Sequence, residues 1–396
     1  MTRLALLAAA ALGLAPAAAD GQEAQGGGDG VHADSILFGQ SAALSGPAAE
    51  LGRNMNLGVR AAFEEANRSG GIHGRQLKLL VRDDGYEPEA AVANTRELIA
   101  RGVFGLIGAV GTPTSNAAEP IASGASVPYI GPFTGAELLR GDDQRYVVNV
   151  RASYYQETEE MVERLTADLG CRRIAILYQD DSYGKAGLTG VRRALAQRGM
   201  ELVGEGTYMR NTIAVKRALL GLQDSDPEAV IIIGAYRPAA HFIKWARKIG
   251  MGAVFVNISF VGSNALLKEL GGRGDGVVVT QVVPFPSDTR IPVVVRYHGA
   301  LKAVDGAAQP GFVSLEGYLA GRLVVDALRA ATAPRDGGEA GPPSREAFLR
   351  ILQESGSIDL GGFEVEYGPG DNQGSDRVFL TMIRKGRFAP VMRLTR

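Results

Sequence analysis

The chain of 396 residues holds one cysteine, four histidines and one tryptophan. The lone Cys171 cannot close an internal disulfide, and it reads as a small packed residue rather than a nucleophile. His32, His73, His241 and His298 form no i, i+4 pair and lie beside no acid or cysteine cluster with metal spacing. No metal site and no cofactor is therefore expected. A G-x-S-x-G nucleophile elbow is missing, as is a G-x-x-x-x-G-K-[ST] phosphate loop. A catalytic triad can still assemble from distant residues, but no local motif points to one. Lys and Arg number 42 against 43 Asp and Glu, a net charge of −1, so the basic excess of a nucleic-acid binder is lacking. Past the N-terminus, no stretch approaches the roughly 18 continuous apolar residues of a membrane helix.

The N-terminus has the features of an export signal. Arg3 precedes an apolar, Ala-rich run over residues 4–14, and Ala17, Ala18 and Ala19 offer small residues for cleavage before Asp20. Residues 1–19 read as a secretory signal peptide, too short for a membrane span. The polar, Gly-rich residues 20–34 read as a flexible mature N-terminus. Cys171 is far from the cleavage point, so a lipid-anchor cysteine is not expected there. The address these features imply is the bacterial periplasm, with no direct membrane insertion. About 360 residues remain, enough for two ordinary domains, and 45% hydrophobic residues can fill their cores.

Strands and helices then alternate. Residues 36–38, 77–82, 104–110 and 127–130 are short apolar runs, separated by helical patterns. Leu51, Met55, Val59, Phe63 and Ala66 set one such pattern, closed by Gly70 and Gly71. Pro88 opens the next. This alternation predicts parallel strands with helical crossovers. It restarts near Arg172, with strands predicted at 173–178, 201–203, 229–233, 254–256 and 277–279. Helices are predicted at 183–198, from 212, at 239–249 and at 264–270. Pro284 and Pro286 break the pattern. Helices follow at 293–304, 312–331 and 345–354, and two last strands at 377–383 and 388–393. The predicted class is α/β, with two doubly wound parallel-sheet lobes.

In such sheets ligands bind beyond the carboxyl ends of the strands. The first half places Ser41 to Gly46, Asp83 to Gly85, Gly111 with Thr112, and Phe133 with Thr134 at those exits. At Gly111 a strand meets a helix N-terminus, where unpartnered amides and hydroxyls can receive a carboxylate or another small acceptor. The same pattern also makes an ordinary helix cap. The second half places residues 180–184, 234–236 and 259–262 at its exits, where aromatics enter. This division suits a small ligand whose polar end meets one lobe and whose body meets rings of the other. Ser45, Thr112, Phe133, Thr134, Tyr183, Tyr236, Ser259 and Phe260 are the candidates so placed. Asp83 and Asp84 read as a solvated strand end or cap, and Asp180 and Asp181 as turn residues.

Several short motifs occur in one order: Ser41-Ala-Ala-Leu-Ser-Gly-Pro47, Gly70-Gly-Ile-His-Gly74, Arg82-Asp-Asp84, Leu106-Ile-Gly108 and Pro128, then residues 180–184 and Gly234-Ala-Tyr236. Together they resemble the leucine/isoleucine/valine-binding proteins of bacterial ABC importers. The resemblance covers nearly the whole mature chain and implies the type I periplasmic binding fold, two lobes joined by three crossovers. Division would fall at 35–152 for the first lobe and 153–283 for the second. Residues 284–366 would return to the first lobe and 367–396 to the second. The resemblance further implies a monomer that captures a small-molecule ligand by hinge closure and passes it to a membrane permease. Thr112 and Thr134 would hold a ligand carboxylate, Tyr183 and Tyr236 would close over it, and Leu51 would meet its apolar end. One departure stands out. The family's acid after the strand at 254–256, which neutralises a ligand ammonium, is missing from Asn257-Ile-Ser-Phe-Val-Gly262. Either another acid substitutes, or the ligand lacks an ammonium. A ligand sensor of the same fold and an exported hydrolase are the alternative readings.

Overall fold

The computed structural model describes residues 29–333 and 341–395. The expected signal peptide lies outside them, so the described chain begins within the expected tail. Residues 29–34 are not loose, which corrects that part of the flexible-terminus expectation. His32 N donates to Ser35 O at 2.7 Å, Leu37 N donates to Gly30 O at 2.8 Å, and Asp29 pairs with Arg345 at 3.2 Å. Gly30 lies so close to the backbone of Val103 and Phe104 that a Cβ there would collide with it.

The first lobe begins with β1 (Ser35–Ala42), α1 (Ala49–Arg68), β2 (Gln76–Asp83) and α2 (Pro88–Ala100). It continues with β3 (Gly105–Ile107), α3 (Thr112–Gly124), β4 (Tyr129–Ile130) and β5 (Val147–Val148). Its five strands are parallel, in the order β2-β1-β3-β4-β5. The chain then crosses to α4 (Tyr154–Glu163), whose start is set by a capping box of Ser153 and Gln156. The second sheet follows: β6 (Ile174–Gln179), α5 (Ser182–Ala196), β7 (Gly204–Tyr208), α6 (Lys216–Asp224), β8 (Ala229–Ile233), α7 (Tyr236–Lys248), β9 (Val254–Asn257), α8 (Ser263–Leu270) and β10 (Val278–Gln281). The strand expected at 201–203 falls later, at β7. Val203 N still reaches Ile174 O at 3.0 Å, but ladder pairing with β6 begins at Gly204.

A second crossing leads to α9 (Pro292–Val304), α10 (Phe312–Thr332) and α11 (Arg345–Glu354). Helices α9 and α10 pack on α1. Here α10 is buried on nearly every side, because Gly58, Gly317 and Gly321 leave its backbone in contact with α1. The hairpin β11 (Gly356–Asp359) and β12 (Glu364–Tyr367) was not expected from the sequence. A third crossing adds β13 (Phe379–Arg384) and β14 (Arg387–Pro390) to the second sheet, ordered β14-β13-β10-β9-β8-β6-β7. Strand β13 joins β10 antiparallel, and β14 joins β13 antiparallel through the tight turn at Lys385 and Gly386, both with positive φ. That sheet is therefore mixed rather than wholly parallel. One large apolar cluster runs from Ile36 in the first lobe to Ile176 in the second, through Phe133, Tyr183 and Phe260.

Candidate functional site

The first-lobe face of the site is built where β3 gives way to α3. Gly111 has φ 99°, and a Cβ there would run into the Tyr86 ring. No side chain caps α3. Its first-turn amides have no acceptor within the helix. The Thr112 and Thr134 hydroxyls lie 2.7 Å apart, and the Thr134 hydroxyl reaches the Tyr154 phenol at 3.3 Å. All three residues are fully excluded from solvent. Burial pushes the Tyr154 phenol up to about 12, so at neutral pH it stays uncharged, accepting from Thr134.

The second lobe meets this face with rings. Phe260 is carried on a single helical turn after β9. It stacks on Phe133 at 5.2 Å and 29°, and lies 4.5 Å from Tyr183 and 6.0 Å from Tyr86. Phe133 and Tyr86 belong to the first lobe, so the cluster spans the cleft. Aromatic pairs of this kind each contribute about 0.5–1.5 kcal/mol beyond their buried area. The Tyr183 hydroxyl is buried and has no hydrogen-bond partner among the described residues; burial holds its phenol well above the usual tyrosine range. Tyr86 crosses the cleft in another way, its phenol accepting from Gln179 Nε2 at 3.2 Å.

Beneath the rings lies a buried charge network. Arg151 donates to Glu157 Oε1 at 2.9 Å and to Ser259 Oγ, and faces Glu316 Oε1 at 3.4 Å. Glu157 also accepts from Ser259 N at 3.0 Å, Ser259 Oγ at 2.8 Å and Thr280 Oγ1 at 2.5 Å. The guanidinium of Arg151 lies 5.2 Å from the Phe133 ring and 5.8 Å from the Tyr154 ring, a cation–π arrangement. Burial by itself would lower Arg151, but the fields of Glu316 and Glu157 outweigh it and hold the group above its ordinary value. Burial raises Glu316 to about 7, against the pull of Arg151. Beside the acid-free stretch 257–262 there is thus one carboxylate from α4: Glu157 reaches Ser259 and is already paired with Arg151.

The remaining candidates sit around this centre. The Tyr236 phenol accepts from Glu50 N across the cleft at 3.4 Å. Leu51 packs against Gly262, whose φ of 79° and lack of a Cβ permit the approach. Ser45 stands apart at the exposed edge, where its N donates to Asp83 at 3.2 Å. Asp84 is not solvated as expected. It accepts from Ser41 Oγ at 2.8 Å and Tyr86 N at 2.9 Å, and burial raises it to about 6. Asp181 does shape its turn, capping α5 through Tyr183 N and Gly184 N. At the rim, Arg210 pairs with Glu87 at 2.7 Å and Asn211 donates to Glu87 at 2.7 Å and to Gly85 O at 3.0 Å.

Tyr86, Arg151, Tyr154, Glu157 and Glu316 were not among the sequence candidates. Arg151 and Glu157 flank a capping box, so a charged pair around a helix start was the available signal. Glu316 sits alone in an otherwise apolar stretch of α10, a pattern that asks for a buried partner. Nothing local names that partner.

Comparison with known proteins agrees with this architecture. Residues 35–387 match the family model described as periplasmic binding protein. The Leu/Ile/Val-binding protein homolog 7 of Brucella abortus (strain 2308) is 26% identical over 377 residues, covering 91% of this chain and 88% of that protein. The crystal structure of a possible leucine/isoleucine/valine-binding protein from Rhodopirellula baltica SH 1 superposes with a TM-score of 0.84 at 38% identity, covering 93% of this chain and 98% of the other. A branched chain amino acid ABC transporter structure from Thermus thermophilus, with bound valine, has a TM-score of 0.81 at 18% identity, covering 91% and 96%. At that identity the likeness is one of fold.

Proposed function

The chain belongs to the periplasmic binding protein family, and from that premise we propose that it captures a small polar organic ligand between its lobes and delivers it to the permease of an ABC importer. The observation that carries this reading is the complete burial of Thr112, Thr134, Tyr183 and Phe260 where the two lobes meet. Hydroxyls of one lobe and rings of the other converge where neither lobe alone would exclude water. The ligand is an amino acid, an amide or a small organic acid. Hinge bending occurs about the crossings near residues 152, 283 and 366, and the ligand favours closure by touching both lobes. A micromolar Kd, about −8 kcal/mol, suffices for this role. The protein works as a monomer in the periplasm after cleavage near Ala19, and it releases its ligand unchanged.

A thermal-shift panel tests the reading. The relatives' names put leucine, isoleucine and valine first in it, followed by amides and small organic acids. A hit should stabilise the wild type, and Thr112→Ala and Thr134→Ala should abolish the shift. Unchanged shifts in both variants would remove these residues from the site. Turnover of a hit, followed by mass spectrometry, would overturn the non-catalytic role.

A further inference from the structure

Around the ring cluster, hydrogen-bond donors outnumber free acceptors. The Tyr183 hydroxyl and Arg151 Nε are buried without partners among the described residues, and the Thr112 hydroxyl has that of Thr134 as its partner, which in turn donates to the Tyr154 phenol and accepts from Ala136 N. The nearby carboxylates are committed elsewhere. Glu157 accepts from Arg151, Ser259 and Thr280. Asp84 serves Ser41 and Tyr86 N, and Asp181 serves Gln179, Arg210 and the start of α5. Glu316 faces the same guanidinium as Glu157. An ammonium entering here would meet a buried fixed cation, Arg151, behind Phe133 and Tyr154, with no acid left to pair it. Such a charge is costly to bury. Acceptor oxygens, in contrast, would satisfy the waiting donors.

The Phe260 ring lies against both Phe133 and Tyr183, so the place it fills beside them has the size of a six-membered ring. Phe260 sits on the turn Ser259–Val261, which ends at Gly262 in a left-handed conformation. The ring can therefore leave without unravelling a long element.

We propose that the ligand is an aromatic carboxylate without an ammonium, whose ring replaces that of Phe260 against Phe133 and Tyr183 and whose oxygens accept from Tyr183 and the Thr112–Thr134 pair. This rests on the solute-binding reading above. Matched pairs test it on the mature wild-type protein by calorimetry: 3-phenylpropanoate against phenylalanine, and 4-methylpentanoate against leucine. Each deaminated member should bind roughly tenfold or more tightly than its amino acid, with 3-phenylpropanoate the tighter of the two acids. Phe260→Gly should strengthen 3-phenylpropanoate binding, because no ring need be displaced. An amino acid that binds more tightly than its deaminated match overturns the proposal and leaves the solute-binding reading intact. Weaker 3-phenylpropanoate binding in Phe260→Gly overturns the ring exchange. Silence from both pairs while an amide or another panel member binds overturns only the ligand class. Silence across the whole panel overturns both readings.

Discussion

Replacing Glu316 by Gln should make the protein more stable above neutral pH, although it removes one side of an ion pair. Glu316 is buried on α10 and meets Arg151 at a single distance of 3.4 Å. Burial raises its carboxyl to about 7, from 4.5 for an unperturbed glutamate, and Glu157 adds to the rise while Arg151 opposes it. Between those two pH values the folded protein keeps a proton that the unfolded chain has released. Stability attributable to this group therefore falls as pH rises from 4.5 to 7, and stays at its lower level above 7. The gap is roughly 2.5 pH units, at about 1.36 kcal/mol each, or about 3 kcal/mol. Glutamine fills the same volume, carries no charge and does not titrate. Glu316→Gln should match the wild type near pH 4.5 and exceed it by up to about 3 kcal/mol at pH 8. Urea unfolding of both proteins at pH 4.5, 6 and 8, read as a difference, cancels every carboxylate that does not interact with Glu316. A variant less stable than the wild type at pH 8 would refute the reasoning. It would mean that the attraction of Arg151 outweighs the burial of a second charge.

The opposite result is expected for the other carboxylate on the same arginine. Glu157→Gln leaves Arg151 without its close partner and sets an amide against donors from Ser259 and Thr280; it should cost about 3–5 kcal/mol, measured by the same urea titration at pH 7, and a cost below 1 kcal/mol would contradict the network as described. Tyr183→Phe removes a buried hydroxyl without a partner, so it should stabilise the ligand-free protein by about 1–3 kcal/mol while weakening ligand binding, two opposite signs read by unfolding and by calorimetry. Arg210→Ala breaks the rim contacts to Glu87 and Asp181. It should favour the open state by up to about 1 kcal/mol, seen as a larger radius of gyration in X-ray scattering without ligand, and an unchanged radius would show that the rim does not hold the lobes together.

The lobes were legible because their signals are local. Short apolar runs followed by helical patterns with Pro88 and Gly70–Gly71 boundaries need only neighbouring residues to be read, and the helix predicted at 345–354 coincides with α11. The β11–β12 hairpin was not legible, since its strands are only four residues long, and the alternation of Ile358 in one and Val365 and Tyr367 in the other is too short to stand out. Thr112 and Thr134 were found by one rule about strand ends, and the structure brings them within 2.7 Å of each other. Ser45 satisfied the same rule, yet it lies at the exposed edge, because the rule locates an end of the sheet and not a depth within the cleft.

By itself, the sequence determined the α/β alternation, the paired lobes and the strand ends that carry hydroxyls on one lobe and aromatics on the other. Periodicity and turn chemistry act over a few residues, so they can be read without knowing the fold. Only the tertiary structure decided what meets across the cleft. Phe133 and Phe260 stack over a separation of 127 positions, Arg151 and Glu316 over 165. It also placed the buried carboxylate of Glu157 against Ser259, in the stretch 257–262 that has no acid of its own, and paired it with Arg151. Such pairings depend on how two sheets close against each other, and in a buried site their energies depend on which charges are left unpaired.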